Sequence, residues 1–266
     1  FTLEPLNDNT MERYREQFYN PIYRKKSAIE ATRSARSDRN VRLPLLYSLK
    51  FYKKNLFNKE KVDKVITLAF FDTAGEDLDA ENTMKTVNKY IYNSAGIILL
   101  LDPLQLDYVR DKLPEDTELP EVNSDSNEIL TRMTNLIRNA KQIKQDVQID
   151  IPLAITFSKM DVVQQILDPS SSLKFPSRHE DTNAFDLVDY ENVQLEIEVF
   201  IKEWLHTGVL RSLKSNYKSY GYFGISSLGH NPGEDKQLAD VKPYRVTDPF
   251  LWLLAEHKVI KTNSGK

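Results

Sequence analysis

The sequence predicts a mixed α/β protein, a three-layer arrangement in which a mostly parallel sheet carries helices on both faces. Three observations carry that expectation. Nearly continuous apolar runs recur at "VITLAFFDT" (65–73), "AGIILLLDP" (95–103), "IPLAITFSKMD" (151–161) and "YGYFGISSLG" (220–229). Such runs suit strands buried on both faces, the usual state of parallel strands. Stretches with helical periodicity lie between them, so strand and helix alternate. Small or acidic residues follow the runs, notably Asp72, Asp161 and Ser226. In open α/β sheets ligands bind beyond the carboxyl ends of the strands.

The elements follow in order. Thr10 to about Ala31 reads as a helix with aromatic and basic faces, interrupted by Pro21, and 31–40 as a basic loop. Residues 42–54 alternate like a strand with an exposed side, and Pro44 suggests an edge position. The run at 65–73 is the first doubly buried strand, 80–93 a helix, and 95–103 the second buried strand. Residues 104–127, acidic and rich in Pro, Asn and Ser, read as a surface insertion. A helix is expected over 127–145, with Ile129, Met133, Leu136, Ile137 and Ile143 near a helical period. The third buried strand is 151–161, a loop spans 168–183, and one long helix spans 190–213. The fourth buried strand is 220–229, then a loop at 231–243 and a closing helix at 246–260. Thr247 or Asp248 beside Pro249 offers its cap.

The bulk composition narrows the classes of function. With 266 residues, 40% hydrophobic and 28% charged, the chain suits one large α/β domain or two small ones. A net charge of −3 argues against a nucleic-acid footprint over the whole surface. The absence of cysteine excludes disulfides, Cys-based zinc sites and a thiol nucleophile, and fits a reducing, cytoplasmic setting. "AGIILLL" is far too short for a membrane span, which takes roughly 20 residues. "FTLEPLNDN" has neither the pattern of a signal peptide nor an initiator Met, so the chain reads as a segment of something longer. His179, His206, His230 and His257 show no ligand spacing and are expected to be ordinary surface or helix residues.

Chemistry is expected at the strand ends. Asp72 closes a strand in "DTAG" and can hold Mg²⁺ through a water, because Mg²⁺ prefers oxygen ligands and keeps much of its hydration. Gly75 lets its N–H approach a phosphate oxygen. After "LAITF" come Ser158, Lys159, Met160 and Asp161. The Asp161 carboxylate can accept two hydrogen bonds from the ring N–H and amine of guanine, while the Lys159 stem packs over the base. Ser226, Ser227 and Leu228 follow "YGYFGI", where backbone N–H groups can reach the guanine oxygen. Each stretch taken alone also fits an ordinary strand-to-helix turn.

In order and context the three motifs resemble those of P-loop GTPases with a Ras-like G domain. D-x-x-G is matched by Asp72 and Gly75; [NT]-K-x-D by Lys159 and Asp161, with Ser158 replacing Asn or Thr; S-A-[KL] by Ser226 and Leu228, with Ser227 replacing Ala. The resemblance covers roughly residues 30 to 260. "LLLDPLQ" and "YRVTDPFLWLL" look closer still to the prokaryotic double-GTPase family, in which two GTPase-like proteins act as a pair. The resemblance implies GTP hydrolysis to GDP with Mg²⁺ as cofactor, and a protein partner that is itself GTPase-like. It also implies that Thr32 senses the third phosphate and binds the metal. Glu76 then stands where relatives carry a Gln that orients the attacking water, which suggests slow or partner-assisted hydrolysis.

One motif is missing. A phosphate loop reads G-x-x-x-x-G-K-[ST], and no such stretch occurs; Gly265-Lys266 is a coincidental pair at the terminus. The expected architecture is therefore one G-like domain over 1–266 that lacks its first strand and phosphate loop, leaving two strands short of a neighbour. Two rivals stay open: a non-catalytic GTPase-like scaffold that binds a protein partner, and an ATP-dependent P-loop enzyme.

Overall fold

A computed structural model describes residues 1–29, 43–54, 59–72, 89–122, 126–182, 184–205, 207–230 and 236–264. They fall into two compact units, Phe1–Tyr90 with Glu234–Ala239, and Ile91–Gly233 with Asp240–Lys266.

The first unit is an antiparallel sheet with a helical segment. Strand β1 (Thr2–Pro5) pairs with β2 (Leu45–Lys54), and β2 with β3 (Glu60–Phe70), each antiparallel. A register shift at Phe51/Tyr52 bends the longer pair. Helix α1 (Asp8–Arg13) starts on Asn7, whose Oδ1 accepts the Thr10 N–H at 2.8 Å. Thr10 is buried, and its hydroxyl oxygen accepts the Leu46 N–H at 3.0 Å, which fastens the helix to β2. The chain continues as a widened π-helical segment over Tyr14–Arg24, so Pro21 lies inside it and does not end it. The expected helix 10–31 is thus shorter and of two kinds. Strand β2 is central in its sheet, not at an edge, because the unforeseen β1 covers its other side. Strand β3 corrects the expectation of burial on both faces: nearly all its residues are exposed, Val65 and Phe70 among them. An apolar run fixes a strand but not what covers it.

The second unit is mixed α/β. Strands β4 (Ile97–Leu101), β5 (Leu153–Phe157) and β7 (Tyr220–Gly224) form a parallel sheet in the order β4-β5-β7. In register, Leu101 lies beside Phe157 and Phe157 beside Gly224. Every residue of β5 is buried, as its apolar run required. A short parallel pair, β6 (Phe185–Asp186) with β8 (Thr262–Asn263), was not foreseen.

Helices pack on both faces of the parallel sheet. Helix α2 (Ser126–Lys141) buries Leu130, Met133 and Ile137, while Ile129 and Leu136 stay partly exposed. The predicted helix 190–213 is two helices, α3 (Leu187–Trp204) and α4 (Thr207–Asn216). The buried spacing Val193, Ile197, Ile201, Trp204 lays α3 on the face that carries Phe157 and Gly224. Trp204 meets the Phe157 ring edge-on at 5.4 Å. Helix α5 (Asp248–Glu256) takes the opposite face, where Trp252 packs against Phe223 at 5.7 Å. Pro249 sits in its first turn as expected, but Thr247 makes no side-chain cap.

The 104–127 stretch has local structure of its own. It carries a helical turn at Pro103–Gln105 and a short helix at Asp107–Arg110, and buries Leu104, Val109 and Leu113. Arg110 donates to the carbonyls of Leu104 and Pro120, both at 2.8 Å, and closes the loop on itself. Among the described residues no helix is long and apolar enough to cross a membrane.

Candidate functional site

The predicted guanine-selecting residues come together at the carboxyl end of the parallel sheet. Backbone hydrogen bonds stitch the loops after β4, β5 and β7. The Ser158 N–H and hydroxyl both donate to the Leu101 carbonyl, at 2.9 and 3.1 Å. The Ile225 N–H donates to Phe157 and the Met160 N–H to Ile225, at 2.8 and 3.0 Å. Lys159 turns the corner in a left-handed conformation, φ 52°, at the start of a short helix, Met160–Val163. Its ammonium donates to Asp102 Oδ2 at 2.6 Å, a partner that sequence reasoning left without a role. Asp102 also accepts the Leu104 N–H at 3.0 Å, so one carboxylate both caps the next turn and holds Lys159.

Ser226 is buried and serves the loop itself. Its backbone exchanges two hydrogen bonds with Tyr244, at 3.0 and 2.8 Å, and its hydroxyl oxygen accepts the Gly229 N–H at 2.9 Å. Ser227 is exposed and Leu228 half-buried. Gly229 has φ +81°, and a Cβ there would lie 2.3 Å from the Lys242 carbonyl oxygen, so the turn demands glycine.

Asp161 and Gly229 line one cavity of about 540 Å³ with Asp116, Thr117, Glu118, Val162, Gln165 and His230. Three carboxylates therefore face this space, and among the described lining residues there is no Lys or Arg. The acidic 104–127 stretch thus supplies a wall of the predicted base pocket. Asp72 follows β3 in the first unit and is exposed. Thr32, Gly75 and Glu76 lie outside the described residues.

A second cluster was invisible in the sequence. Arg245, at φ 50°, is buried with Asp189, Asp248 and His179. Its guanidinium grips Asp189 through two bonds, 2.6 and 2.8 Å, and Asp248 Oδ2 through a third at 3.0 Å. It also donates to the Phe175 and Ser172 carbonyls, at 2.9 and 3.2 Å. The network ties the start of α3, the start of α5 and the 172–179 loop together. Asp189 and Arg245 stand 56 positions apart, so no local pattern announces them.

His179, Asp189 and Asp248 place one ligand atom each within 4.8 Å of the others, and Asp248 Oδ1 has no hydrogen-bond partner. The protonation of the ring argues against a metal there. His179 Nδ1 accepts the Asp186 N–H at 2.9 Å, so in the neutral ring the proton sits on Nε2. That nitrogen lies 3.7 Å from Asp248 Oδ1, so a metal there would have to displace its proton, and Arg245 already pairs with both carboxylates and offsets one of their two charges.

Burial pushes the His179 imidazole below its ordinary value, with Arg245 adding to the effect and Asp248, Asp189 and Asp186 opposing it. The ring is then neutral in the fold and takes up a proton more readily once unfolded. Its contribution to stability is present above the ordinary pKa, about 6.5, and is lost as pH falls below it. Asp248 works in the opposite sense, since burial raises its carboxyl. His179→Gln removes the contribution of the ring and also its downward pull on the Asp248 carboxyl, so the opposite contribution of Asp248 persists in the variant and flattens its slope further. Between pH 7 and pH 5 the urea midpoint of the unsubstituted protein is expected to fall more steeply than that of the variant; equal slopes would remove His179 from this role.

No family model matches the chain, and no solved structure matches it. One curated relative is similar: SaeC of Mycolicibacterium smegmatis, described as a proposed ESX-1 scaffolding and assembly protein. It is 21% identical over 277 aligned residues, which cover 97% of this chain and 67% of the relative.

Proposed function

We propose that this chain is a G-domain-like assembly module, a non-catalytic scaffold that binds a protein partner. The observation that carries this reading is the acidic cavity. Asp161, which would take the guanine donors, shares its walls with Asp116 and Glu118 and no described cation. Three carboxylates in one concave space build a negative potential that disfavours a di- or triphosphate nearby. The similarity to a scaffolding and assembly protein supports the same reading, as does the apolar face of β4, where Ile98 and Leu100 are 37% and 58% exposed.

The second reading is a guanine-nucleotide switch that hydrolyses GTP with Mg²⁺. It is favoured by the convergence of Asp161 and Gly229 on one cavity after adjacent parallel strands. In it Asp161 would select the base, Lys159 would leave Asp102 to flank it, and the exposed Asp72 carboxylate is a hard oxygen donor suited to hydrated Mg²⁺. Bound Mg²⁺ would neutralise phosphate charge.

Calorimetric titration with GDP and a non-hydrolysable GTP analogue, with Mg²⁺ and an ATP control, separates the two. The scaffold reading expects no heat of binding from a folded sample. Tight guanine-selective binding that Asp161→Ala abolishes would overturn it in favour of the switch.

A further inference from the structure

The first unit carries an exposed face of unusual chemistry. Along the π-helical segment, Tyr14, Tyr19 and Tyr23 form a ladder with ring centroids 6.4 and 5.5 Å apart. The Arg24 guanidinium lies 5.8 Å from the centre of the Tyr19 ring. All three tyrosines are exposed, and Arg24, Lys25 and Lys26 extend the face as exposed cations. Over residues 13–26 there are five basic side chains and a single acidic one. Tyrosine and arginine are among the residues enriched where proteins bind one another: tyrosine buries much area with only two side-chain torsions to freeze, and arginine adds a planar cation that stacks and donates. The face is already ordered, since the Asn7 cap and the Thr10–Leu46 bond fix the helix that leads into it.

The same chain bears the complementary surface. Residues 107–121 hold six acidic and two basic side chains. Asp107, Asp111, Glu115, Asp116, Glu118 and Glu121 are all exposed. Both basic residues are engaged locally, Arg110 by the Leu104 and Pro120 carbonyls and Lys112 by the Tyr108 hydroxyl at 2.5 Å. Its self-closed loop presents the carboxylates on a fixed backbone.

We propose that the Tyr14–Tyr19–Tyr23–Arg24 face of one copy docks on the acidic 107–121 segment of a second copy, head to tail. The two patches differ, so the contact is heterologous: one copy keeps its acidic segment free and the other its tyrosine face, and the assembly grows into a ring or an open chain. Charge complementarity sets the register and speeds encounter, while the tyrosine ladder supplies the buried area. This gives the assembly reading a partner and rests on that reading. Nucleotide titration tests the reading and sedimentation tests the partner, so the two can fail separately.

The test is sedimentation velocity on the full chain over a wide concentration range, at low and at high salt. At low salt the average mass is expected to rise with concentration to at least twice that of one chain, and at high salt to return to one chain, because added ions screen exposed charges. The triple reversal Arg24→Glu, Lys25→Glu, Lys26→Glu and the triple reversal Glu115→Lys, Asp116→Lys, Glu118→Lys should each be monomeric. Mixed, the two should associate, since each then meets the opposite charge on the other. Tyr19→Ala with Tyr23→Ala reaches the same face without altering charge and should also abolish association, with an unchanged circular dichroism spectrum. A wild-type chain that stays monomeric throughout overturns the proposal. So does a reversed or Tyr-depleted variant that still self-associates, or a mixture that does not.

Discussion

Replacing Arg245 with Met is expected to destabilise the protein by about 3 to 5 kcal/mol, because it strands two buried carboxylates without their cation. Asp189 and Asp248 lose a bidentate and a single charge-assisted bond together. Burial already pushes the Asp248 carboxyl up, against the pull of His179 and Arg245, and removing the arginine takes away one of those restraints. The folded variant should therefore bind protons that the unfolded chain gives up, and its deficit should shrink as pH falls from 8 to 5. Replacing all three charged partners, with Asp189→Asn and Asp248→Asn added, should recover part of the loss. Both tryptophans, Trp204 and Trp252, belong to the second unit, so urea unfolding followed by their fluorescence reports on the unit that holds the network. A loss below about 1 kcal/mol, the range of an exposed ion pair, would show that the network is solvated.

Phe157→Ala should cost about as much, roughly 3 to 5 kcal/mol, through lost apolar transfer and the cavity left behind. Phe157 is fully buried on the central strand of the parallel sheet, with Trp204 against its ring. The fluorescence of the folded state should change as well, since Trp204 loses its neighbour. Leu100→Ala on β4 is the control: more than half exposed, it should shift stability by no more than about 0.5 kcal/mol. If the two substitutions cost the same, β5 is not the core strand of its unit.

What the sequence revealed follows from the range of the forces involved. The strands at 153–157 and 220–224 were legible because a doubly buried strand must be apolar along its whole length, while the run at 97–101 gave a strand whose Ile98 and Leu100 stay exposed, against the expected burial on both faces. The same rule misled at 65–73, where an equally apolar run forms an exposed antiparallel strand. Composition sets what a strand can tolerate, and its neighbours set what it meets. Strand β1 was missed because "TLEP" is four residues with no strong pattern. At the candidate site, the positions of Asp161 and Ser226 after their strands were readable from local order. The acidic wall from Asp116 and Glu118, the Asp102–Lys159 pair and the Arg245 network were not. All three join residues far apart in the chain, and neither periodicity nor turn chemistry encodes a distant ion pair.

The register of the parallel sheet also has a consequence for synthesis. Strand β5 is flanked by β4 on one side and β7 on the other, and residues 101, 157 and 224 meet side by side. On a ribosome that has not yet made residue 220, β5 has one open edge and an uncovered apolar face. The antiparallel pairing of β2 with β3 closes across a short connection much earlier. Pairings between distant segments form slowly, and an unpaired strand invites another chain to fill its place. Late in translation the second unit is therefore the part of this protein that most needs shielding, and a pause before residue 220 would prolong that exposure.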